Sequence, residues 1–477
     1  MLLIVLNALL ALACLVTAYA QDDVAANSAA SVNLPPSDPA SLACSTIKLS
    51  LGLSIVESSG PEYNATVQGP WSLFNSVDRP TCIVYPRAAS HVQVAMARIF
   101  EFSSRYAVQA GAHSAMVGYN TVTDGVLISF AHMNSTTYNP VTDTITVQPG
   151  VHWGDAMNAV ESFGVSVLAV ERGTDIGTGL LLGGGISLVS PMFGWSADSV
   201  KEMDVVLVTG QLVTASATNQ HADLFRALKG GANRFGIYPG SSSVALSNAS
   251  ARYIRNVTDP RAGLIVLLNT VNLTAPDANV VYLFYNGASL PTSIFGEFLS
   301  IPSTSQTLSP LSYYDISFLR PGNGRGNGNQ FGATAWVGAE ASFLNGYNHL
   351  VNFTQTFESK LLMSTLSISP IPRSQWTATR SGPNAIGGDP GVNYAAINYH
   401  LVYPTGVTTR PADVDAGFRF LLSQTPPSAG LPLYINECDA SQNIYRTYAE
   451  FETLKSTYSK YDPLRFNVRH TVGPIGL

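Results

Sequence analysis

Three glycine-rich stretches constrain what this chain can fold into more than any other feature of its sequence. In chain order they read Gly111-Ala-His-Ser114, Gly177-Thr-Gly-Leu-Leu-Leu-Gly-Gly-Gly185 and Gly230-Gly-Ala-Asn-Arg-Phe-Gly-Ile237. Backbone that approaches a pyrophosphate closely needs glycine, because a Cβ atom would block the amide N–H groups that face the phosphate oxygens. The order of the stretches therefore predicts a dinucleotide site, and His113, in the middle of the first loop, would be its most important residue.

The length and composition of the chain indicate a large folded protein. At 477 residues it is too long for one ordinary core, so we expect two lobes. Hydrophobic residues make up 46% of the chain and charged residues only 12%, about half of the roughly 25% usual in soluble domains. The formal net charge is -6 and we find no basic run. Since phosphate backbones need clustered Lys and Arg, no nucleic-acid partner is expected.

The first 20 residues are typical of a secretory signal. An apolar run from Leu2 to Val16 is followed by Ala18-Tyr-Ala20, which has the small-x-small pattern of a cleavage site. The run is shorter than the about 20 apolar residues that span a bilayer, so no membrane anchor is expected. Six N-x-S/T sequons agree with export, and together they predict a secreted, extracellular glycoprotein. The sequon residues are Asn64, Asn134, Asn248, Asn256, Asn272 and Asn352.

Cysteine usage fits an oxidising compartment. Cys14 leaves with the signal, so the mature chain keeps Cys44, Cys82 and Cys438. Cys44 and Cys82 are the natural disulfide pair, which ties the N-terminal segment to the first strand. Cys438 is left over, and its simplest interpretation is a buried apolar thiol.

Hydrophobic periodicity predicts alternating strands and helices up to about residue 238. Strands are expected at residues 81–85, 107–109, 126–129 and 144–147, helices at residues 90–106, 152–163 and 222–228, and a hairpin at residues 202–216 that turns at Thr209-Gly210. Ser90 is the expected N-cap of the first helix. Residues 21–40 are rich in Ala, Ser, Pro and Asp and predict a mobile N-terminus.

The composition changes after residue 238. Apolar strands, such as residues 264–268 and 280–284, alternate with Pro-, Gly- and Ser-rich stretches, including a loop at residues 321–329. This pattern predicts a second lobe built on an antiparallel sheet. Residues 441–459 return to a helical pattern.

Other cofactor and catalytic classes find little support. A Rossmann site needs G-x-G-x-x-G, and although Gly177-Thr-Gly179 begins that way, Leu182 occupies the third glycine position. The histidines show no metal-ligand spacing, and neither H-E-x-x-H nor G-x-S-x-G occurs. A nicotinamide cofactor, a metal site and a hydrolase are therefore not expected.

A family resemblance rests on several segments in a fixed order. The first is CIVYP at residues 82–86. It is followed by VQAGAHSAMVG, DGVLISFAHMN, VQPGVHWGDAM, GTDIGTGLLLGGGISLVSPMFGWSADSV, DLFRALKGGANRFGI and, near the end, LKSTYSKYDPLRFN. Together they resemble the flavin-binding domain of berberine-bridge-enzyme-like FAD-linked oxidases, of the vanillyl-alcohol oxidase and p-cresol methylhydroxylase superfamily, and in particular the secreted fungal members.

The resemblance implies a two-lobed α+β flavoprotein that binds FAD. The FAD-binding lobe would span residues 60–240, after an N-terminal segment at residues 21–59. A substrate lobe would follow at residues 241–433, with an antiparallel sheet and covering helices, and residues 434–477 would return to the FAD-binding lobe. The resemblance also implies a covalent bond between His113 and the 8α-methyl of the flavin. The other implied cofactor contacts are Gly111, Ala112, Ser114, Gly118, Gly177, Gly179, Gly183, Gly184, Gly185, Asn233, Phe235 and Gly236.

Three departures from the family pattern matter. Ala112 stands where relatives usually have glycine. Residues 170–176 lack the cysteine that makes a second flavin link in many relatives, so a single attachment with no cysteinyl link is expected. Residues 238–243 read Tyr-Pro-Gly-Ser-Ser-Ser, and Pro239 cannot donate a ladder hydrogen bond, so the strand that enters the second lobe is expected to be shortened or lost.

Candidates for the catalytic base come from two further segments. Residues 434–439 read Tyr-Ile-Asn-Glu-Cys-Asp and resemble a family strand that lines the substrate side of the flavin, which makes Tyr434 and Glu437 candidates. A strand at residues 397–403 adds Tyr399 and His400. The alternative for all four is ordinary packing.

The expected function is a two-electron oxidation of a small molecule, with molecular oxygen as acceptor and hydrogen peroxide as product. The substrate would be a carbohydrate, an aromatic alcohol or a secondary-metabolite intermediate, and the protein is expected to be a monomer. Two alternatives stay open: a secreted binding protein that inherited the fold without activity, and a flavin dehydrogenase that uses an acceptor other than oxygen.

Overall fold

The computed structural model describes residues 38–168, 176–230, 243–270, 279–303, 306, 308–318, 325–378 and 382–477. Helices and strands alternate along these residues, and the mixed α+β fold class predicted from the sequence is confirmed. The signal segment and the sequon at Asn272 lie outside the described residues. Residues 238–242, where a shortened strand was expected, lie outside them too.

The N-terminal part is built on a small mixed sheet. Its strands are β1 (Val56–Glu57), β2 (Cys82–Val84), β3 (Tyr106–Gln109) and β4 (Val126–Ser129), and its helices are α1 (Pro39–Leu51), α2 (Pro61–Gln68) and α3 (Ala89–Glu101). Within the described chain the strand order is β1-β2-β4-β3, with β1 antiparallel and the other pairs parallel. β2 and β3 lie parallel on either side of β4, and α3 is the crossover that connects them.

The helix α3 buries the apolar face that its periodicity predicts. Val92, Met96 and Ile99 are buried against the sheet, and Phe100 packs at the edge of the same cluster. The predicted N-cap was wrong, because the helix begins at Ala89, so Ser90 lies inside its first turn and no side chain caps it.

A disulfide joins α1 to β2. Cys44 and Cys82 are bonded, with their Cα atoms 5.9 Å apart, as predicted. Cys438 is buried and forms no disulfide within the described part of the chain, also as predicted. The disulfide closes a loop with a sequence separation of 38 residues and so restricts the conformations of the unfolded chain.

Two hairpins and three helices complete the first half of the chain. They are β5 (Thr136–Asn139), β6 (Thr144–Val147), α4 (Trp153–Glu161), α5 (Ser190–Phe193), β7 (Glu202–Val206), β8 (Leu212–Ser216) and α6 (Ala222–Leu228). The predicted hairpin is confirmed, and Gly210 takes the positive φ of 85° that its turn requires.

The second half of the chain is built on a larger antiparallel sheet, as predicted. Its strands are β9 (Ala262–Thr270), β10 (Val280–Tyr285), β11 (Asn329–Val337), β12 (Met363–Ile371) and β13 (Tyr394–Val402), and they pair in the order β10-β9-β12-β13-β11 among the described residues. The helices are α7 (Ser243–Asn256), α8 (Thr292–Ser300), α9 (Tyr313–Phe318), α10 (Glu340–Phe357), α11 (Arg373–Thr377) and α12 (Ala412–Gln424). Asn329 was predicted to end a loop, but it begins β11 and pairs with Val402.

The two faces of this sheet have different partners. Alternate residues such as Leu366 and Ile397 pack with Leu350 of α10 and Phe418 of α12 in a large apolar core. The opposite face carries His400 and turns toward the N-terminal half of the chain, where the functional site lies.

The C-terminal segment is less helical than its sequence suggests. The long helix predicted at residues 441–459 is replaced by a short 3-10 turn (Tyr445–Thr447) followed by α13 (Phe451–Tyr461) and α14 (Phe466–His470). None of the helices in the described ranges combines the length and apolar character needed to cross a membrane.

The sequon asparagines differ in exposure. Asn64, Asn134, Asn256 and Asn352 are exposed, whereas Asn248 is only partly so. Glycosylation at these positions stays a prediction.

Candidate functional site

A cavity of about 850 Å³ lies where the first two glycine-rich stretches meet the C-terminal segment. Its wall includes Gly111, Ala112, His113 and Ser114 of the first stretch and Gly177 and Gly179 of the second. Tyr458, Tyr461 and residues 471–477 line it from the C-terminal side. Its volume is in the range of small-molecule and cofactor sites, about 300–1,000 Å³.

The two glycine loops touch each other through their backbones. A Cβ atom built on Gly177 would lie 2.4 Å from the Gly111 amide nitrogen and 2.7 Å from its Cα atom. No real side chain tolerates such distances to backbone atoms, so residue 177 must be glycine. This contact between two backbones, which we call the cradle, keeps side chains out of that part of the cavity wall, as a pyrophosphate group would require.

The loop after β3 has a conformation that favours glycine. Ala112 has φ = 55° and Gly118 has φ = 77°. For an alanine the left-handed region costs about 1–2 kcal/mol, which explains why glycine is the usual family residue at this position. Ala112 therefore occupies a strained backbone conformation.

Asn75 holds the same loop from inside the protein. Its fully buried side chain donates from Nδ2 to the carbonyl oxygens of Ser114 (2.8 Å) and Met116 (3.2 Å) and accepts from the Gly118 amide (2.8 Å). One amide side chain thus satisfies three backbone groups of the loop. The sequence offered no signal for this role, since Asn75 lies in an unassigned stretch well before the loop.

The imidazole of His113 is buried in the cavity wall and packed against an aromatic ring. Its side chain is 8% exposed, and the Trp71 indole is stacked on it with ring centroids 4.3 Å apart and planes 11° from parallel. The Trp71 amide also donates to the Ala112 carbonyl oxygen at 2.9 Å. Trp71 therefore fixes both the ring and the backbone next to it, and sequence reasoning missed it.

Aromatic contacts continue from Trp71 to the large sheet. The ring centroids of Phe331 and His400 both lie 5.8 Å from that of Trp71. His400 Nε2 is 2.9 Å from the Asn329 side-chain oxygen. The predicted candidate His400 thus lies on the sheet face that is turned toward His113, with Trp71 between them.

The prediction of Tyr399 as a catalytic residue was wrong. Neighbouring strand residues point to opposite faces, so Tyr399 points away from His400. Its hydroxyl lies in the helix-covered core and donates to the Gly346 carbonyl oxygen of α10 at 3.4 Å. Burial raises the pKa of Tyr399, so it is unsuited to accept a proton.

Residues 434–439 do not form the predicted strand. The chain makes a 3-10 turn from Ile435 to Glu437 instead. The Tyr434 hydroxyl accepts hydrogen bonds from the Ile186 amide (3.1 Å) and from Asn436 Nδ2 (2.9 Å), and Asn436 also donates to the Leu180 carbonyl oxygen at 3.2 Å. These bonds fasten the turn to the second glycine-rich stretch.

Glu437 ends this turn with its side chain inside the protein. It is 4% exposed, and the turn lies between the second glycine-rich stretch and β11. A carboxylate that is withdrawn from solvent at this junction is a suitable group to accept a proton. Tyr434 and Glu437 therefore lie in a turn that contacts the second glycine-rich stretch, outside the cavity lining, whereas Tyr399 lies in the helix-covered core.

Four of the predicted cofactor glycines lie outside the cavity lining. A Cβ atom on Gly184 would meet the Trp195 ring and Ile386, one on Gly185 would lie 2.7 Å from Ser196 Cβ, and one on Gly118 would lie 3.1 Å from Val472. Gly183 also does not belong to the lining. Close packing also accounts for glycine at positions 118, 184 and 185, and the assignment of Gly118, Gly183, Gly184 and Gly185 as cofactor contacts stays a prediction.

Part of the predicted site lies outside the described residues. This applies to Asn233, Phe235 and Gly236, and to residues 170–175, where a second flavin link was not expected.

The C-terminal wall of the cavity is held by one carboxylate. Asp462 accepts from the amides of Phe466 (2.7 Å) and Asn467 (2.8 Å) and from the Tyr458 hydroxyl (2.7 Å). Asn467 in turn accepts from the hydroxyl of Tyr106, the first residue of β3, at 2.5 Å. These contacts bind the C-terminal helices to β3.

A family model for an FAD binding domain matches residues 80–216. An uncharacterised FAD-linked oxidoreductase of Arthroderma benhamiae is 28% identical over 440 residues, which cover 83% of this chain and 87% of the relative. An FAD-dependent monooxygenase of Arthrobotrys oligospora is 28% identical over 437 residues, which cover 84% of this chain and 83% of the relative. The cradle and the sequence thus indicate the same cofactor class.

Solved structures show the same fold at low identity. Glucooligosaccharide oxidase from Acremonium strictum, which carries a 6-S-cysteinyl, 8α-N1-histidyl FAD, has a TM-score of 0.71 and 17% identity over 91% of this chain and 100% of its own. Berberine bridge enzyme from Eschscholzia californica has a TM-score of 0.71 and 14% identity over 91% of this chain and 99% of its own. The fold implied by the sequence resemblance is confirmed.

Proposed function

We propose that this chain is a secreted, glycosylated oxidase of the berberine-bridge-enzyme type of FAD-linked oxidoreductases, to which its sequence and fold are similar, and that its FAD is attached through His113 alone. The observation that carries the proposal is the position of His113. Its imidazole lies in the wall of the cavity, beside the backbone contact of Gly111 and Gly177. A reactive ring next to a phosphate cradle is the combination that a tethered dinucleotide needs.

The residues that would hold FAD are those of the cradle and its supports. Gly111, Ala112, Gly177 and Gly179 line the cavity and would offer their backbone to the pyrophosphate, and Asn75 holds the first loop by hydrogen bonds to its backbone. When bound, FAD supplies an acceptor for two electrons that passes them on to oxygen. The protein supplies the cavity, the orientation and the proton acceptor.

Glu437 is our first choice for the proton acceptor. It is buried next to the second glycine-rich stretch, in a turn that Asn436 fastens to Leu180. Tyr434 is the second choice, because its hydroxyl oxygen already accepts bonds from the Ile186 amide and Asn436. These two hydrogen bonds fix the position of the Tyr434 hydroxyl in the same turn as Glu437.

The overall reaction we propose is the oxidation of an alcohol carbon to a carbonyl. The substrate loses its hydroxyl proton, a hydride and therefore two electrons, and molecular oxygen takes up two protons and two electrons to form hydrogen peroxide. The substrate class is a carbohydrate, an aromatic alcohol or a secondary-metabolite intermediate. The protein acts on it as a monomer, without a nucleic-acid or membrane partner.

The test uses the full chain secreted from a eukaryotic host. Under nitrogen, a panel of sugars, aromatic alcohols and alkaloids is added while the flavin absorbance is followed. We expect at least one member to bleach the flavin, and admission of air to restore the colour with one equivalent of peroxide. Glu437→Gln should slow the bleaching far more than Tyr434→Phe, since only the former removes the proposed proton acceptor.

Each other outcome has a distinct meaning. Bleaching without peroxide would replace the oxidase by a dehydrogenase with another acceptor. A folded, colourless glycoprotein would overturn the enzyme proposal in favour of a binding protein. Equal rates in Glu437→Gln and wild type would remove Glu437 from the reaction.

A further inference from the structure

Arg410 joins three separate parts of the chain next to the His113 loop. Its side chain is only 16% exposed, and Nη1 lies 2.9 Å from Asp439 Oδ2 and 3.4 Å from Asp415 Oδ1. Its other terminal nitrogen, Nη2, donates to the Ala115 carbonyl oxygen at 3.5 Å. One guanidinium thus connects α12, the C-terminal segment and the loop two residues after His113.

The guanidinium is held in place by a polar network. Gln330 Nε2 lies 3.0 Å from Asp415 Oδ1 and 3.3 Å from Asp439 Oδ2, and the Tyr403 hydroxyl donates to Gln330 Oε1 at 2.6 Å. Two carboxylates that share partners this closely would repel each other without a cation between them. The planar fork of arginine suits this position because it can bind several oxygens at fixed angles.

Arg410 completes a row of contacts along the backbone that follows His113. Asn75 binds the carbonyl oxygens of Ser114 and Met116, and Arg410 binds that of Ala115, which lies between them. Three successive carbonyl groups of this loop are therefore fixed by two side chains from distant parts of the sequence. The neighbouring imidazole depends on the same backbone for its position.

We propose that Arg410 is a positioning residue for the attachment of flavin to His113. The inference rests on the proposed function, because it concerns the single histidyl link. In the attachment, a bond forms between an imidazole nitrogen and the 8α-carbon, while one N–H and one C–H bond break. The two protons and two electrons released are taken up by oxygen as hydrogen peroxide.

Attachment is sensitive to position in a way that binding is not. Bond formation requires the nitrogen and carbon to meet at reacting distance, and a misplacement of about 1 Å can cost 10²-fold in rate. Non-covalent binding is distributed over the whole cradle and tolerates a small shift of one loop. Loss of Arg410 should therefore lower the covalent share of the flavin more than the total flavin.

The experiment measures two quantities on purified full-length protein. Total flavin is taken from the native absorbance, and covalent flavin from the absorbance of the acid-precipitated, washed pellet. Arg410→Gln keeps a polar side chain but removes the charge and the fork. The matched control is Arg419→Gln, because Arg419 also pairs with Asp415 but is 60% exposed and approaches it from the surface.

We expect the ratio of covalent to total flavin to fall about ten-fold or more in Arg410→Gln. It should stay at the wild-type value in Arg419→Gln and take an intermediate value in Arg410→Lys, which keeps the charge without the fork. Thermal unfolding temperatures separate positioning from stability. The proposal is supported if the ratio of covalent to total flavin falls in Arg410→Gln while its thermal unfolding midpoint equals that of the Arg419→Gln control.

Two results would overturn it. One is an unchanged ratio in Arg410→Gln, and the other is a loss of total and covalent flavin in parallel with the unfolding midpoint, which shows a structural role only. If Arg410→Gln does not fold, Arg410→Lys decides, and a wild-type ratio there contradicts the proposal. Wild-type protein that contains flavin but no covalent flavin would instead disprove the histidyl link, and this inference with it.

Discussion

The indole of Trp71 lies parallel to the imidazole of His113, with ring centroids 4.3 Å apart. Trp71 is 1% exposed, and its amide is bonded to the Ala112 carbonyl oxygen, so the stack cannot shift without moving the loop. Stacked aromatic pairs contribute about 0.5–1.5 kcal/mol beyond their burial. The histidine of the cavity wall is therefore held in one ring orientation by a residue about 40 positions earlier in the chain.

Removing this stack should affect flavin attachment as well as stability. Trp71→Ala is expected to lower the free energy of unfolding by about 3–5 kcal/mol and to reduce the acid-stable share of the flavin, because the His113 ring gains freedom. Trp153 is 2% exposed and belongs to the same apolar cluster without stacking on His113, which makes Trp153→Ala the control. Similar destabilisation with equal acid-stable shares in both variants would show that the stack does not orient the imidazole.

Ala112 should be improved by glycine. Its φ of 55° is unfavourable for alanine but not for glycine, so Ala112→Gly is expected to raise the free energy of unfolding by up to about 1 kcal/mol. Ala110 lies two residues earlier and has no positive φ, so Ala110→Gly should be destabilising by about 0.5–1 kcal/mol. Chemical denaturation of the two variants measures both effects. A lower free energy of unfolding in Ala112→Gly would contradict the proposed backbone strain at Ala112.

The two cavity glycines of the second stretch should respond differently to alanine. In Gly177→Ala the new methyl group meets the Gly111 backbone at 2.4 Å, so the two loops must separate, and both stability and flavin content are expected to fall. In Gly179→Ala the methyl group meets no protein atom within 4 Å, so the fold should keep its stability. Because Gly179 lines the cavity, the second variant is expected to lose flavin alone. Thermal unfolding and flavin absorbance distinguish the two, and equal behaviour would refute the cradle geometry.

Acid should weaken the contact between Arg410 and Asp439. Burial raises the pKa of the Asp439 carboxyl, but the Arg410 guanidinium and the hydrogen bonds from Ser441 and Gln330 outweigh it, so the pKa lies below its ordinary value. A carboxyl whose pKa is lowered by folding stabilises the protein above its unfolded pKa and loses this effect as pH falls through the folded pKa.

As the pH falls from about 5 to about 3, the free energy of unfolding should therefore decrease less in Asp439→Asn than in wild type. At neutral pH it should be less stable by about 3 kcal/mol, because Arg410 loses its nearest partner. Asp155→Asn, at a side chain that is 79% exposed, serves as the control and should follow the wild-type pH dependence. Parallel pH curves for wild type and Asp439→Asn would contradict this assignment.

Much of the fold and the centre of the site could be predicted from sequence because their signals are local. The glycine stretches, the Cys44–Cys82 pair and the hairpin at residues 202–216 each follow from spacing and residue type. A strand was expected at residues 434–439 because this segment resembles a family strand, whereas the chain makes a 3-10 turn there. The bonds from Asn436 to Leu180 and from Ile186 to Tyr434 determine its shape instead, and these depend on distant parts of the chain.

The same reason explains the residues that were missed. Trp71, Asn75 and Arg410 act on the His113 loop from positions far away in sequence, and none belongs to a motif. Tyr399 was assigned incorrectly because the face of a strand that meets the site depends on sheet packing, which the strand pattern alone does not settle. Local pattern thus pointed to His113, whereas the residues that support its loop could be identified only from the three-dimensional structure.

The account is tested most directly by the colour of the denatured protein. Wild-type protein is precipitated with acid, washed and redissolved, and its absorbance is measured in the visible flavin band. We predict that flavin stays with the wild-type polypeptide and is lost from His113→Ala. A wild-type pellet without flavin, or a His113→Ala pellet that retains it, would contradict attachment through His113.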